Sequence, residues 1–249
     1  MKKALRFPVP DRPTPALNAT RMREVDRRMV EEYGVDLARM MEHAGRHLAR
    51  LTTDRVLGGD PRGRRVRVLS GRGGNGGGAL VAARRLAGWG ARVEVSLVAP
   101  PSAMTTVPAS QAAILERMGV PMSVGAPAVA SAEPLDVVVD GVLGYSMRGA
   151  PRGAAAELIR WARGQDAPVV SLDTPSGVDC TTGEVPGVVV RALATVTLAL
   201  PKTGLMAPVA FGWVGELYLV DIGVPPGLYH DMGMDVGPIF APGEILRLR

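Results

Sequence analysis

Four short segments of the chain carry residue types that could do chemistry together. Residues 71–78 read Gly-Arg-Gly-Gly-Asn-Gly-Gly-Gly, with Asn75 among six glycines. Residues 140–153 read Asp-Gly-Val-Leu-Gly-Tyr-Ser-Met-Arg-Gly-Ala-Pro-Arg-Gly. Residues 173–179 read Asp-Thr-Pro-Ser-Gly-Val-Asp, and residues 201–204 read Pro-Lys-Thr-Gly. Between them they offer oxygen groups (Asn75, Asp140, Asp173, Ser176), glycine N–H groups, and cations (Arg148, Arg152, Lys202). Such oxygens suit a hard cation, and N–H groups with cations suit phosphate. A run without Cβ atoms lets backbone approach a ligand, and a helix that follows presents unpaired N–H groups. The glycine spacing is neither GxxxxGK[ST] nor GxGxxG. Singly, each residue has a plainer explanation. Asp140 and Asp173 could cap turns, Ser176 could be a turn residue, the arginines and Lys202 could be solvated, and the glycines could form only a tight connection.

The elements that must position these residues decide between the two readings. Short apolar runs predict strands near 66–70, 92–98, 136–140, 168–172, 193–199 and 216–221, and helical patterns fall near 78–89, 107–118 and 153–164. Strands alternating with helices of this length imply βαβ units and a mostly parallel sheet covered on both faces, a three-layer αβα Rossmann-like α/β fold. The last strands lack a clear helix between them and are expected at one edge, with antiparallel pairing open. In such sheets ligands bind beyond the carboxyl ends of the strands. All four segments follow strands, so the fold brings them to one rim and a shared crevice.

Before the first strand, residues 1–17 hold four prolines and read as an extended arm preceding a single domain over 18–249. Thr20 is a candidate N-cap for a helix with Met22, Val25 and Met29 on one face. Asp36 is a candidate cap for a second, with Leu37, Met40, Met41, Ala44, Leu48 and Leu51 on one face.

Composition narrows the class. The chain has 249 residues, 47% hydrophobic but only 4% aromatic, so its core must be built from Ala, Val, Leu and Met. No run approaches the roughly 20 apolar residues of a membrane span, and the N-terminus lacks a signal peptide's apolar region. A single cysteine, Cys180, excludes an internal disulfide framework and suits a cytoplasmic protein. Three histidines and one cysteine argue against zinc. The net charge of +5 is spread over scattered arginines. The densest cluster (Arg62, Arg64, Arg65, Arg67) reads as a solvated turn and its strand rather than a nucleic-acid patch.

The order of motifs resembles the YjeF N-terminal domain family, the NAD(P)H-hydrate epimerases, also known as apolipoprotein A-I binding proteins. Five segments carry it: Met41-Glu-His-Ala-Gly45, Gly71-Arg-Gly-Gly-Asn-Gly-Gly-Gly-Ala-Leu-Val-Ala-Ala-Arg-Arg-Leu86, Asp140-Gly-Val-Leu-Gly-Tyr-Ser146, Asp173-Thr-Pro-Ser-Gly-Val-Asp179 and Leu200-Pro-Lys-Thr-Gly204. The resemblance spans roughly residues 18–225. It implies a potassium ion held by Asn75, Asp140 and Ser176. It implies a dinucleotide site at Gly74, Asn75, Gly76, Gly77 and Gly78, at Gly144, Tyr145, Ser146, Met147, Arg148, Gly149 and Ala150, and at Asp173. Asp173 becomes the acid/base residue, favoured as a base beside a cation. The implied reaction interconverts the R and S forms of NADHX or NADPHX, cofactors hydrated at C6 of the nicotinamide ring. A separate NAD(P)H-hydrate dehydratase would act next, and a homodimer is expected.

Three positions depart from the family pattern. Gly74 replaces an Asn, Gly78 replaces an Asp, and Tyr145-Ser146 replaces Thr-Gly. They leave open a non-catalytic nucleotide-binding or scaffold module of the same fold.

Overall fold

The computed structural model describes residues 7–127 and 133–249; the first six residues of the expected arm lie outside them. Eight strands form one sheet: β1 (Arg65–Ser70), β2 (Arg92–Leu97), β3 (Met122–Val124), β4 (Val137–Gly141), β5 (Val169–Leu172), β6 (Ala194–Leu198), β7 (Glu216–Val220) and β8 (Ile245–Arg247). Their spatial order is β3-β2-β1-β4-β5-β6-β7-β8. Every neighbouring pair is parallel except β7 with β8. Sequence order reverses between β1 and β4, which creates the switch-point crevice of doubly wound sheets.

Burial on both faces explains the unbroken apolar runs. Val66 and Val68 of β1, Val137 and Val139 of β4, and Val170 and Leu172 of β5 share a core with α1 (Ala19–Glu31), α2 (Leu37–Arg55) and α3 (Gly74–Gly88). The alternate residues Leu69, Val138 and Val169 meet Leu158, Ile159 and Ala162 of α5 (Gly153–Arg163) on the other face. Helix α4 (Thr106–Arg117) lies beside α3 and contributes Ala112 and Leu115 to the first core. The stripe read on α2 packs as expected: Met40, Met41, Ala44, Leu48 and Leu51 are buried, and Leu37 is partly buried. Asp36 caps that helix by accepting from the Arg39 N–H at 2.8 Å. Among the described residues no helix is long and apolar enough to cross a membrane.

Four expectations need correction. Helix α3 starts at Gly74, so most of the expected glycine loop is its first turn. Where glycine is required here, it is for space and not for left-handed backbone. A Cβ on Gly76 would lie 1.9 Å from the Gly71 carbonyl oxygen, and one on Gly71 would lie 2.0 Å from that of Val142. The cap of α1 is Asn18, whose side chain accepts from the Arg21 N–H, rather than Thr20. Strands β6 and β7 are parallel, joined through short 3₁₀ turns and α6 (Phe211–Val214). The antiparallel edge belongs to β8 and the far edge to β3. Each has only three residues, too short for an alternation pattern to be recognised.

Candidate functional site

A cavity of about 860 Å³ opens at the switch point. Its walls come from the carboxyl ends of successive strands. Arg72–Gly76 follow β1, Val98 and Ala99 follow β2, residues 142–148 and 150–152 follow β4, Asp173 follows β5, and Ile222 follows β7. Met22 and Asp26 of α1 and Met40 and Met41 of α2 close the opposite side. The first intrahelical bond of α3 runs from the Gly77 N–H to the Gly73 carbonyl. The N–H groups of Gly74, Asn75 and Gly76 therefore have no partner within the helix, at a dipole end that favours an anion. The exposed guanidinium groups of Arg72, Arg148 and Arg152 border the same space, and none forms an ion pair with a described residue.

Asp173 is the acidic residue at the end of β5. Its φ of 64° is left-handed, a conformation Asp tolerates better than most residues. The turn aims the carboxylate at two different elements. Oδ2 accepts from the Tyr145 N–H at 2.9 Å, and Oδ1 lies 2.7 Å from Lys202 Nζ. The ammonium approaches Oδ1 off hydrogen-bonding geometry, so the contact is ionic and Oδ1 accepts no hydrogen bond. Lys202 is fully buried, and its N–H groups bond the Leu198 and Leu200 carbonyls at 2.7 and 3.2 Å and Thr197 Oγ1 at 3.2 Å. Asp173 and Lys202 thus form a buried ion pair at the cavity wall. The lysine that could have been a solvated loop residue is the fixed counter-charge of Asp173.

Behind the cavity wall lies an oxygen-rich cluster. Asp140 pairs with Ser171 across β4 and β5, and its fully buried carboxylate accepts from Ser171 Oγ at 2.8 Å, Ser176 N at 2.9 Å, Ser176 Oγ at 2.6 Å and Val142 N at 3.2 Å. Burial pushes the Asp140 carboxyl up from its ordinary range, and these hydrogen bonds oppose the shift. Ser176 Oγ also accepts from the Leu143 N–H at 2.8 Å. Asn75 Nδ2 donates to the Leu143 carbonyl at 2.9 Å and to the Leu172 carbonyl at 3.2 Å. Asn75 and Ser176 thus converge on Leu143, and Ser176 links it to Asp140. With its amide N–H groups committed to the Leu143 and Leu172 carbonyls, Asn75 Oδ1 is buried and unpaired. The orphaned oxygen leaves one acceptor of the cluster open to a water, an ion or a ligand. The donor set of amide, carboxylate and hydroxyl oxygens fits a hard monovalent cation.

Tyr145 forms the third feature. Its hydroxyl donates to Asp26 Oδ2 at 2.6 Å, across the mouth of the cavity from β4 to α1. Burial pushes the Tyr145 hydroxyl well above its ordinary range, with the Asp26 charge adding to it. Burial likewise raises Asp26, against the Tyr145 hydrogen bond. Cys180, buried below, donates to the Tyr145 carbonyl at 3.2 Å. Its thiol is pushed up to about 11 by burial, so it is no thiolate nucleophile at neutral pH.

Of the residues singled out in the sequence, Gly74, Asn75, Gly76, Gly144, Tyr145, Ser146, Met147, Arg148, Ala150 and Asp173 line the cavity. Asp140 and Ser176 lie behind its wall. Gly77, Gly78 and Gly149 are not on the wall. Gly77 and Gly78 face Pro108 and the Leu172–Met41 contact inside the fold. A Cβ on Gly144 would press on Asn75 and on Asp173 Oδ2, both at 3.1 Å, so a larger residue there would shift these two side chains. Sequence reasoning missed Asp26. The available signal was an acid at i+4 from Met22 and i−3 from Met29, inside the apolar stripe of α1.

Comparison with known proteins gives a consistent result. Residues 37–204 match the family described as YjeF-related protein N-terminus. A protein of Dehalogenimonas lykanthroporepellens named NAD(P)H-hydrate epimerase is 44% identical over 232 residues, covering 91% of this chain and 90% of that protein. The bifunctional NAD(P)H-hydrate repair enzyme of Salinibacter ruber is 37% identical over 226 residues, covering 85% of this chain and 41% of that enzyme. The crystal structure of a yeast protein superposes with a TM-score of 0.78 at 22% identity, covering 94% of this chain and 100% of that one, a likeness of fold.

Proposed function

The chain belongs to the YjeF-related protein N-terminus family, and on that footing we propose that it is an isomerase interconverting the R and S forms of hydrated NAD(P)H. The observation that carries this reading is Asp173: a carboxylate on the cavity wall, held in place by a left-handed backbone, the Tyr145 N–H and a buried ammonium. Epimerisation at C6 requires the C6 hydroxyl, or a water replacing it, to gain and lose a proton, and a positioned base of this kind is suited to that step.

The remaining groups have complementary tasks. The free N–H groups opening α3, with Arg72, Arg148 and Arg152, suit the phosphates of a dinucleotide. The apolar side formed by Met22, Leu37, Met40 and Met41 suits a ring face. Potassium is part of the proposal: Asn75 Oδ1, Asp140 and Ser176 would hold it, and it would supply a fixed positive charge behind the wall. The buried, unpaired Asn75 oxygen supports that assignment. A dehydratase activity consuming one epimer completes the proposed repair sequence.

The test is epimer exchange of NADHX followed by NMR, with binding measured by calorimetry. The expected result is exchange far above the spontaneous rate, and its loss by about 10²–10⁴-fold in Asp173→Asn with binding retained. A wild-type protein that binds NADHX without accelerating exchange would establish a binding module instead, the reading that Gly74 and Gly78 suggest.

A further inference from the structure

We infer that Asp26, held by Tyr145 across the cavity mouth, is the proton donor that works opposite the Asp173 base. The inference rests on the epimerase reading above. It starts from a requirement of the chemistry: a hydroxylated ring carbon next to nitrogen cannot invert by one proton transfer. In the leaving step a donor gives its proton to the C6 oxygen. The C6–O bond then breaks, its electron pair departs with water, and the N1 lone pair closes an N1=C6 double bond. In the return step water adds to the opposite face of C6, the π pair goes back to N1, and Asp173 takes the extra proton. One proton has then passed from donor to base, and it returns through solvent between turnovers. In the reverse direction the two groups exchange roles.

The cavity lining leaves one candidate for the donor. Among the described residues its titratable side chains are Asp26, Arg72, Tyr145, Arg148, Arg152 and Asp173. Arginine does not release a proton at neutral pH. Asp173 is already assigned as the base in this direction, its Oδ1 against Lys202 Nζ at 2.7 Å. That leaves the Asp26–Tyr145 pair, which belongs to a different element from Asp173 and so faces the ligand from another side. Tyr145 engages Oδ2, while Oδ1 of Asp26 has no hydrogen-bond partner among the described residues. A proton on Oδ1 is therefore available to the cavity. The groups facing the pair are Asp173 and Lys202 from the ends of β5 and β6, Arg23 on α1, and Tyr229 on α7 (Pro226–Asp231). Burial lifts Asp26 above the ordinary carboxylate range, and the nearby Asp173 charge adds to that, so the proton persists to higher pH. Tyr145 stands where the family pattern has Thr, whose shorter side chain could not span to α1 in this way.

The experiment is the pH profile of kcat for NADHX exchange in wild type, Asp26→Asn and Tyr145→Phe, with KM measured alongside. In wild type, kcat should fall as pH rises through the ionisation of Asp26. Asp26→Asn should lower kcat by about 10²-fold or more, leave KM within a few-fold, and abolish that alkaline limb. Tyr145→Phe keeps the ring but removes a hydrogen bond that favours the charged carboxylate, so the limb should move to higher pH. A structural role for the pair would change stability without moving the limb. Asp26→Asn with kcat within about threefold of wild type, or with its limb unchanged, overturns the inference while leaving the epimerase reading intact. If Asp26→Asn does not fold, Tyr145→Phe decides, and an unshifted limb overturns the inference. A wild type without exchange removes both readings together.

Discussion

Replacing Lys202 with Met tests whether the buried ion pair is the organising contact of the site. The side chain is fully buried and its Nζ lies 2.7 Å from Asp173 Oδ1, so solvent screens the pair little. Removing one partner of a buried pair costs about 3–5 kcal/mol, because the other charge remains without compensation. For a chain of this length that is a loss of roughly 6–20 °C in melting temperature. The Leu198 and Leu200 carbonyls also lose a donor, at about 1–3 kcal/mol for each that stays dry. Asp173→Asn leaves the carbonyl bonds but strands the ammonium, and should cost about 3–5 kcal/mol by itself. The double variant strands no charge and loses only the Lys202 bonds to the two carbonyls and Thr197. It should therefore be no less stable than Lys202→Met alone, several kcal/mol better than the sum of the singles. Urea unfolding of all four proteins measures this cycle. If the two single effects add to within about 0.5 kcal/mol, the pair is not coupled and Lys202 does not hold Asp173.

Other outcomes follow from the same geometry. Gly76→Ala should destabilise by about 3 kcal/mol or more, since its Cβ would meet backbone at 1.9 Å, whereas Gly74→Ala, with no atom nearer than 3.9 Å, should be neutral or stabilising by up to about 1 kcal/mol; thermal melts compare them. Hydrogen bonds from Arg55 hold Glu216 at about 2, below its ordinary 4.5. Its contribution to stability is thus complete above pH 4.5 and is lost as pH falls toward about 2, so the stability gap between wild type and Glu216→Gln should be full at pH 7 and shrink across that window. If Asn75, Asp140 and Ser176 hold potassium, wild-type melting temperature should rise with potassium concentration relative to a large organic cation, and Asp140→Ala should abolish the dependence; a wild type indifferent to the cation argues against the site.

Local order was legible because its signals repeat within a turn or a pleat. The stripe from Leu37 to Leu51 and the cap at Asp36 are visible to a reader of twenty residues, as are the apolar runs of β1, β4 and β5. From βα alternation it follows that Asn75, Tyr145 and Asp173 share one rim, since parallel strands joined by helices place the loops that follow them on the same side. The resemblance of motifs identified the family from the sequence, and the comparisons agree with it. Tertiary structure alone decided which contacts those residues make. Lys202 reached Asp173 because β6 lies directly beside β5, bringing their carboxyl ends together. Tyr145 met Asp26, 119 residues earlier, because α1 closes the opposite side of the cavity. Whether a glycine forms a loop or makes room for a neighbouring backbone is equally non-local: Gly76 and Gly71 differ from Gly74 only in what lies where a Cβ would go. Helical and strand periods constrain each element separately, whereas burial, pairing and close approach depend on the register and layering of elements distant in the chain.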